Sequence, residues 1–214
     1  MTDIFQEVDE EVRAERYKKL WQKYGWVVIA AAVLLVIGVG GYEGWKAYRQ
    51  DQQLEESVRY SSAMDAIGSG NAQQGIAELE ALAEDGSYGY SELAAFEAAR
   101  ARIEAGEVEV GVAAYREIAA DGSADPSLRA MARFLAVMNG LEQGNPADLQ
   151  AELAPLIETG NPFRPAALEL SAMIALQQGD TQTARERYAQ IADDPGAPQG
   201  LRTRAAQMLN GLGE

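Results

Sequence analysis

Apolar and polar positions follow two different patterns along the chain. From Trp26 to Tyr42 runs the block WVVIAAAVLLVIGVGGY, 17 residues with no charged or amide side chain and one hydroxyl, at its final Tyr. Beyond it, apolar positions return at spacings of three and four, the signature of one buried helix face. No alternation of period two appears, so no strand is expected. The first pattern predicts a helix of about 26 Å at roughly 1.5 Å per residue, within the range of a spanning helix. Tyr24, Trp26, Tyr42 and Trp45 bracket it. Amphipathic rings at both ends of an apolar run suit a membrane–water boundary.

A cleaved signal peptide needs a short basic leader, a shorter apolar core and a small-x-small cleavage site. Gly38 and Gly40 imitate such a site, but the leader here is long and carries six acids, Asp3, Glu7, Asp9, Glu10, Glu11 and Glu15. A core helix of a soluble protein would be shorter and would lack the aromatic and basic frame. The expectation is an uncleaved transmembrane helix over 26–45, anchored by Trp26, Tyr42 and Trp45, after a cytoplasmic leader over 1–25. Orientation follows from flanking Lys and Arg. Arg13, Arg16, Lys18, Lys19 and Lys23 precede the span, against Lys46, Arg49 and Arg59 after it. That bias places the N-terminus in the cytoplasm and residues 46–214 outside it.

The second pattern is repetitive. GNAQQGIAELEALAEDG from Gly70, GEVEVGVAAYREIAADG from Gly106, GNPADLQAELAPLIETG from Gly144 and GDTQTARERYAQIADDPG from Gly179 align, their leading glycines 36, 38 and 35 residues apart. Nine positions after the glycine stand Leu79, Tyr115, Leu153 and Tyr188; twelve after it stand Leu82, Ile118, Leu156 and Ile191. Three before it stand Ile67, Ile103, Leu141 and Leu176, and seven before it Ala63, Ala99, Val137 and Ala172. Each unit therefore reads as helix, tight turn at Gly, helix, then a Gly- or Pro-bearing link. The turn glycine permits a left-handed backbone, and the small residue seven before it allows close helix approach. A period of this length with paired helices predicts a solenoid.

The repeats resemble the tetratricopeptide repeat in degenerate form, most closely in the second unit, with Ala99, Gly106, Tyr115 and the Asp121–Gly122 link. The family's small residue five after the turn is Gly75, Gly111 and Ala184, but Leu149 in the third unit, which implies looser packing there. PQGLRTRAAQMLNGLGE resembles the solvating helix that closes such arrays. The expected fold is all-α: one N-terminal transmembrane helix, then a tetratricopeptide-like α-solenoid of about four helix pairs with a C-terminal capping helix. The whole layout, from the leader DIFQEVDEEVRAERYKKLWQKYG through the span and GWKAYRQ to an acidic repeat domain, resembles the bacterial inner-membrane proteins known as ancillary subunits of the Sec translocon. That resemblance implies a periplasmic repeat domain beside the translocon. Its implied partners are translocon subunits, a periplasmic chaperone or prolyl isomerase, and unfolded clients.

Composition narrows the chemistry. With neither Cys nor His, thiol nucleophiles, disulfides and imidazole bases or ligands are excluded. Of the net charge of −15, −14 falls after residue 25, and no Lys follows Lys46. Such a domain repels nucleic acid. The acid pairs Glu107/Glu109 and Asp193/Asp194 sit at helix starts or links, where carboxylates favour the helix dipole. GVGGYEG follows an apolar span rather than a strand and so fails as a nucleotide loop. Neither an enzyme, nor a cofactor, nor a metal site is expected.

In tetratricopeptide arrays the first helix of each unit lines the concave groove. Six before the turn stand Met64, Arg100, Met138 and Met173; ten before it stand Tyr60, Phe96, Phe134 and Glu169. Flexible thioethers beside aromatic rings form adaptable binding surfaces, and Arg100 would orient a client carboxylate or carbonyl. The competing reading of the stripe is ordinary inter-helix core. Two functions follow: a membrane-tethered scaffold or chaperone-like accessory for emerging envelope proteins, or an adaptor in a fixed envelope assembly complex such as division or cell-wall machinery. A greasy, adaptable groove favours the first, and a groove with fixed charges the second.

Overall fold

The computed structural model describes residues 3–87 and 89–213, all of it helix, turn or link with no strand among them. The helices are α1 (Asp3–Gly68), α2 (Ala72–Asp85), α3 (Tyr90–Glu104), α4 (Val108–Ala120), α5 (Pro126–Gly140), α6 (Pro146–Ile157), α7 (Arg164–Gln177), α8 (Thr181–Ala192) and α9 (Gln199–Gly211). Two compact units divide the chain, Met1–Leu54 and Glu55–Glu214.

The first unit is the larger part of α1. It contains the one segment among the described residues that is long and apolar enough to cross a membrane, lying near the N-terminus. Leu34, Leu35, Val36 and Ile37 are exposed along it, as are Trp26, Tyr42 and Trp45. The Arg49 guanidinium lies 3.9 Å from the Trp45 ring centroid, and the Lys23 ammonium 5.2 Å from that of Tyr24. Cations over aromatic faces are stabilised by the ring quadrupole. Arg13, Arg16 and Lys19, which contribute to the orientation bias, lie outside the described side chains.

The second unit is built from four small cores, each joining three successive helices. Ala63, Leu79, Leu82, Ala94 and Ala98 join the end of α1 to α2 and α3. Phe96, Ala99, Val112, Tyr115, Ala119, Ala132 and Ala136 join α3, α4 and α5. Val137, Leu149, Leu153, Leu156, Ala167, Leu170 and Ile174 join α5, α6 and α7. Leu168, Ala172, Ala184, Tyr188, Ile191 and Ala205 join α7, α8 and α9. Each unit thus buries its face against the first helix of the next, as expected of a solenoid whose stability is a chain of nearest-neighbour contacts. The four positions seven before the turn, Ala63, Ala99, Val137 and Ala172, are all fully buried. The last helix covers the array through Ala205, Leu201 and Leu209.

Three turns use a left-handed glycine, with φ of 91° at Gly70, 87° at Gly106 and 77° at Gly179. The third unit departs from this expectation. Gly144 is not left-handed; its N–H donates to the Gly140 carbonyl at 2.8 Å. A Cβ there would stand 2.8 Å from that oxygen and 2.9 Å from Leu149 Cδ2. The glycine makes room for the buried Leu149, which replaces the small residue of the other units. Accordingly α5 and α6 approach less closely than α3 and α4, or α7 and α8.

Helix starts follow capping chemistry. The Asp125 carboxylate accepts the Ser127 N–H at 2.7 Å, Asn145 accepts that of Ala147 at 2.9 Å, and Asp180 that of Thr183 at 3.0 Å. Pro126 and Pro146 follow their caps, where a missing N–H costs nothing. Buried Glu56 accepts the Ser87 N–H at 2.8 Å and its hydroxyl at 2.5 Å, tying down the link before α3.

Candidate protein-binding surface

The first helices of the pairs carry the stripe predicted to bind other proteins, and its members fall into different environments. Tyr60 and Met64 are half-buried against the first core. The Tyr60 ring lies 6.3 Å from that of Tyr90. Burial, then the nearby Glu97 carboxylate, raises the Tyr60 hydroxyl above its ordinary pKa. Phe134 is half-buried and stacks on Phe163 at 5.8 Å. Met138 and Met173 are each 41% exposed.

Two members do not play the expected part. Phe96 is only 8% exposed and packs its ring 5.8 Å from Tyr115, whose hydroxyl donates to the Phe96 carbonyl at 3.4 Å. It is core rather than an open binding residue, because the ring turns down onto the second helix of its own pair. Arg100 already donates through Nε to Glu97 at 2.7 Å and through Nη1 to Glu104. These hydrogen bonds, Glu97 foremost, raise its pKa further. The partly exposed guanidinium is thus already held by two carboxylates of its own helix.

Three exposed apolar residues on the same set of helices extend the stripe beyond its sequence definition. Leu93 on α3 and Met131 on α5 share an offset thirteen before their turn glycines, and both are exposed. Met208 on α9 is 36% exposed and lies 35 residues after Met173, the repeat period itself. On α5, Met131, Phe134 and Met138 follow i, i+3, i+7 and form one apolar stripe. α5 touches α7 and α7 touches α9, so Met138, Met173 and Met208 stand on neighbouring helices.

The parallel row of aromatics ends in charge. Glu169 on α7 accepts from Arg204 on α9, at 2.5 Å from Nε and 2.9 Å from Nη2. That pairing raises the Arg204 pKa. Other arginines bind the units together away from the stripe. Arg102 on α3 donates to both oxygens of Glu80 on α2 and to Glu107 at the start of α4. Arg116 on α4 pairs with Glu152 on α6 at 3.0 Å.

One member of each acid pair has a structural partner. Glu107 holds Arg102 and Gln73, and these hydrogen bonds lower its pKa. Asp194 accepts the Gly196 N–H at 2.8 Å and meets Arg164 at 3.3 Å. An open cavity of about 580 Å³ lies beside it between the α6–α7 and α8–α9 links, lined mainly by polar and proline residues. Among the described residues no group of three or more Asp or Glu is placed to hold a metal ion.

Paired helices of one period, cores that join each pair to the next and an apolar face on the first helices define a helical-repeat protein of the kind that mediates protein–protein interaction. Residues 18–213 match the model of the tetratricopeptide repeat-like domain, and the chain belongs to that family. The match takes in the apolar segment as well as the repeats. No curated protein matches the chain.

Proposed function

We propose that this protein is a membrane-tethered scaffold that holds extended or unfolded segments of other proteins against the α5–α7–α9 face, without catalytic chemistry of its own. The observation that carries the reading is the row of solvent-exposed Met138, Met173 and Met208 on three neighbouring helices, flanked by Met131 and Phe134. Unbranched thioethers adapt to varied apolar partners. The apolar segment of α1 supports tethering, and the basic bias before it supports a cytoplasmic N-terminus and a periplasmic repeat domain. The resemblance of the whole layout to ancillary Sec translocon subunits supports a place in the bacterial inner membrane, beside the translocon, a periplasmic chaperone or a prolyl isomerase. In that setting the clients are emerging envelope proteins.

The test uses a permanently unfolded, acidic client, reduced and carboxamidomethylated α-lactalbumin, in high salt so that charge attraction plays no part. Met131→Ser with Met138→Ser and Met173→Ser should weaken binding about tenfold, about 1.4 kcal/mol and so less than one full hot-spot contact. Because all three side chains are exposed, the melting temperature should stay within a few degrees. Unchanged affinity would remove this face from the function. The Glu169–Arg204 pair favours a second reading, an adaptor for one fixed partner. In that case Arg204→Ala would abolish partner binding while the Met variants left it intact.

A further inference from the structure

The chain has six methionines, and the five after Met1 all lie on the first helix of a repeat or on the cap: Met64, Met131, Met138, Met173 and Met208. None is in the fully buried core, and all but Met64 are exposed. Met64 is half-buried against the first core. The chain has no Cys, so thioethers are its only readily oxidised sulfur.

We propose that Met131, Met138, Met173 and Met208 form a reversible oxidation site that switches off client binding while leaving the fold intact. This rests on the scaffold reading of the same face. The oxidant is a hydroperoxide. The thioether sulfur attacks the terminal peroxide oxygen, the O–O bond breaks, and an S–O bond forms. The sulfur loses two electrons to give the sulfoxide, and hydrogen peroxide leaves as water. The product is polar and chiral where the thioether was apolar and flexible. A row of sulfoxides therefore presents hydrogen-bond acceptors where the client needs apolar contact. Methionine sulfoxide reductases reverse the change with two electrons from a thiol donor. Oxidation of a buried methionine would unfold the domain; here the core is made of Leu, Ile, Val, Ala, Tyr and Phe, so the chemistry is confined to the face that binds.

The experiment takes the full chain in detergent micelles and limiting hydrogen peroxide. Peptide mass mapping should show a 16-dalton gain at the four exposed methionines ahead of Met64. The helical circular dichroism and melting temperature should hold, while affinity for carboxamidomethylated α-lactalbumin falls at least tenfold. Sulfoxide reductase should restore it, and the quadruple Met→Leu variant, whatever its own starting affinity, should show no further change in affinity under peroxide. If the untreated protein binds and the fully oxidised, folded protein binds equally well, the switch is overturned and the scaffold reading stands. Binding lost only in step with helicity also overturns it. If the untreated protein does not bind the client, the scaffold reading fails and takes the switch with it.

Discussion

At Gly111 an added Cβ would stand 2.5 Å from the Ala99 carbonyl oxygen, and at Gly75, 36 residues earlier, 2.4 Å from that of Ala63. The same glycine in successive units meets the same backbone atom of the partner helix. Helix propensity alone says that Gly111→Ala should stabilise α4 by up to about 1 kcal/mol. Overpacking against an immovable carbonyl says the opposite, by about 1–3 kcal/mol. We expect a net loss in urea unfolding, and a gain would show that the helices part at no cost. These positions were legible in the sequence because they recur at one offset and face a contact internal to the unit. Phe96 and Phe134 share an offset too, yet one is core on Tyr115 and the other stacks on Phe163. Their fates depend on the neighbouring ring, which the period does not encode. Met208 escaped because it stands five, not six, before Gly213, the left-handed glycine that follows the cap; its 35-residue distance from Met173 was the available signal.

Helices and links here depend on exposed carboxylates. Hydrogen bonds from Ser127 at Asp125, from Thr183 at Asp180 and from Ser123 at Asp121 hold these acids below their ordinary pKa. Their folded pKa lies below the unfolded value, so the unfolded chain binds more protons as pH falls through the carboxylate range. The stability they contribute is complete above about pH 5 and is lost progressively below about pH 4. Asn caps as well as Asp but does not titrate there. Asp125→Asn with Asp180→Asn should therefore lessen the fall in melting temperature between pH 5 and pH 3. An identical acid profile would mean that these caps carry no weight. The Asp-Pro start of α5 and the Asn-Pro start of α6 are local signals carried by adjacent residues, though the repeat pattern alone does not single them out. The turn of the third unit was not legible, since its glycine serves Leu149 packing rather than a positive φ.

For the whole molecule, the sequence carried both patterns that organise it, an uninterrupted apolar block and a four-fold helical period. The long-range ion pairs, such as Glu80–Arg102 and Glu169–Arg204, were not legible, because only the packed solenoid brings those helices together. If residues 46–214 stand on the far side of the inner membrane, protease added to spheroplasts should digest the repeat domain and leave a protected fragment containing the span. Protection of the repeats would reverse the topology. The central claim, that client chains lie along the methionine face, is tested most directly by a photo-crosslinking side chain. It would be placed at Met138, at Met173 or at exposed Glu117 on α4, in intact membranes carrying a polypeptide arrested during translocation. The account predicts crosslinks to the arrested chain from positions 138 and 173 and none from 117. Equal yields at all three, or crosslinks from 117 alone, would contradict it.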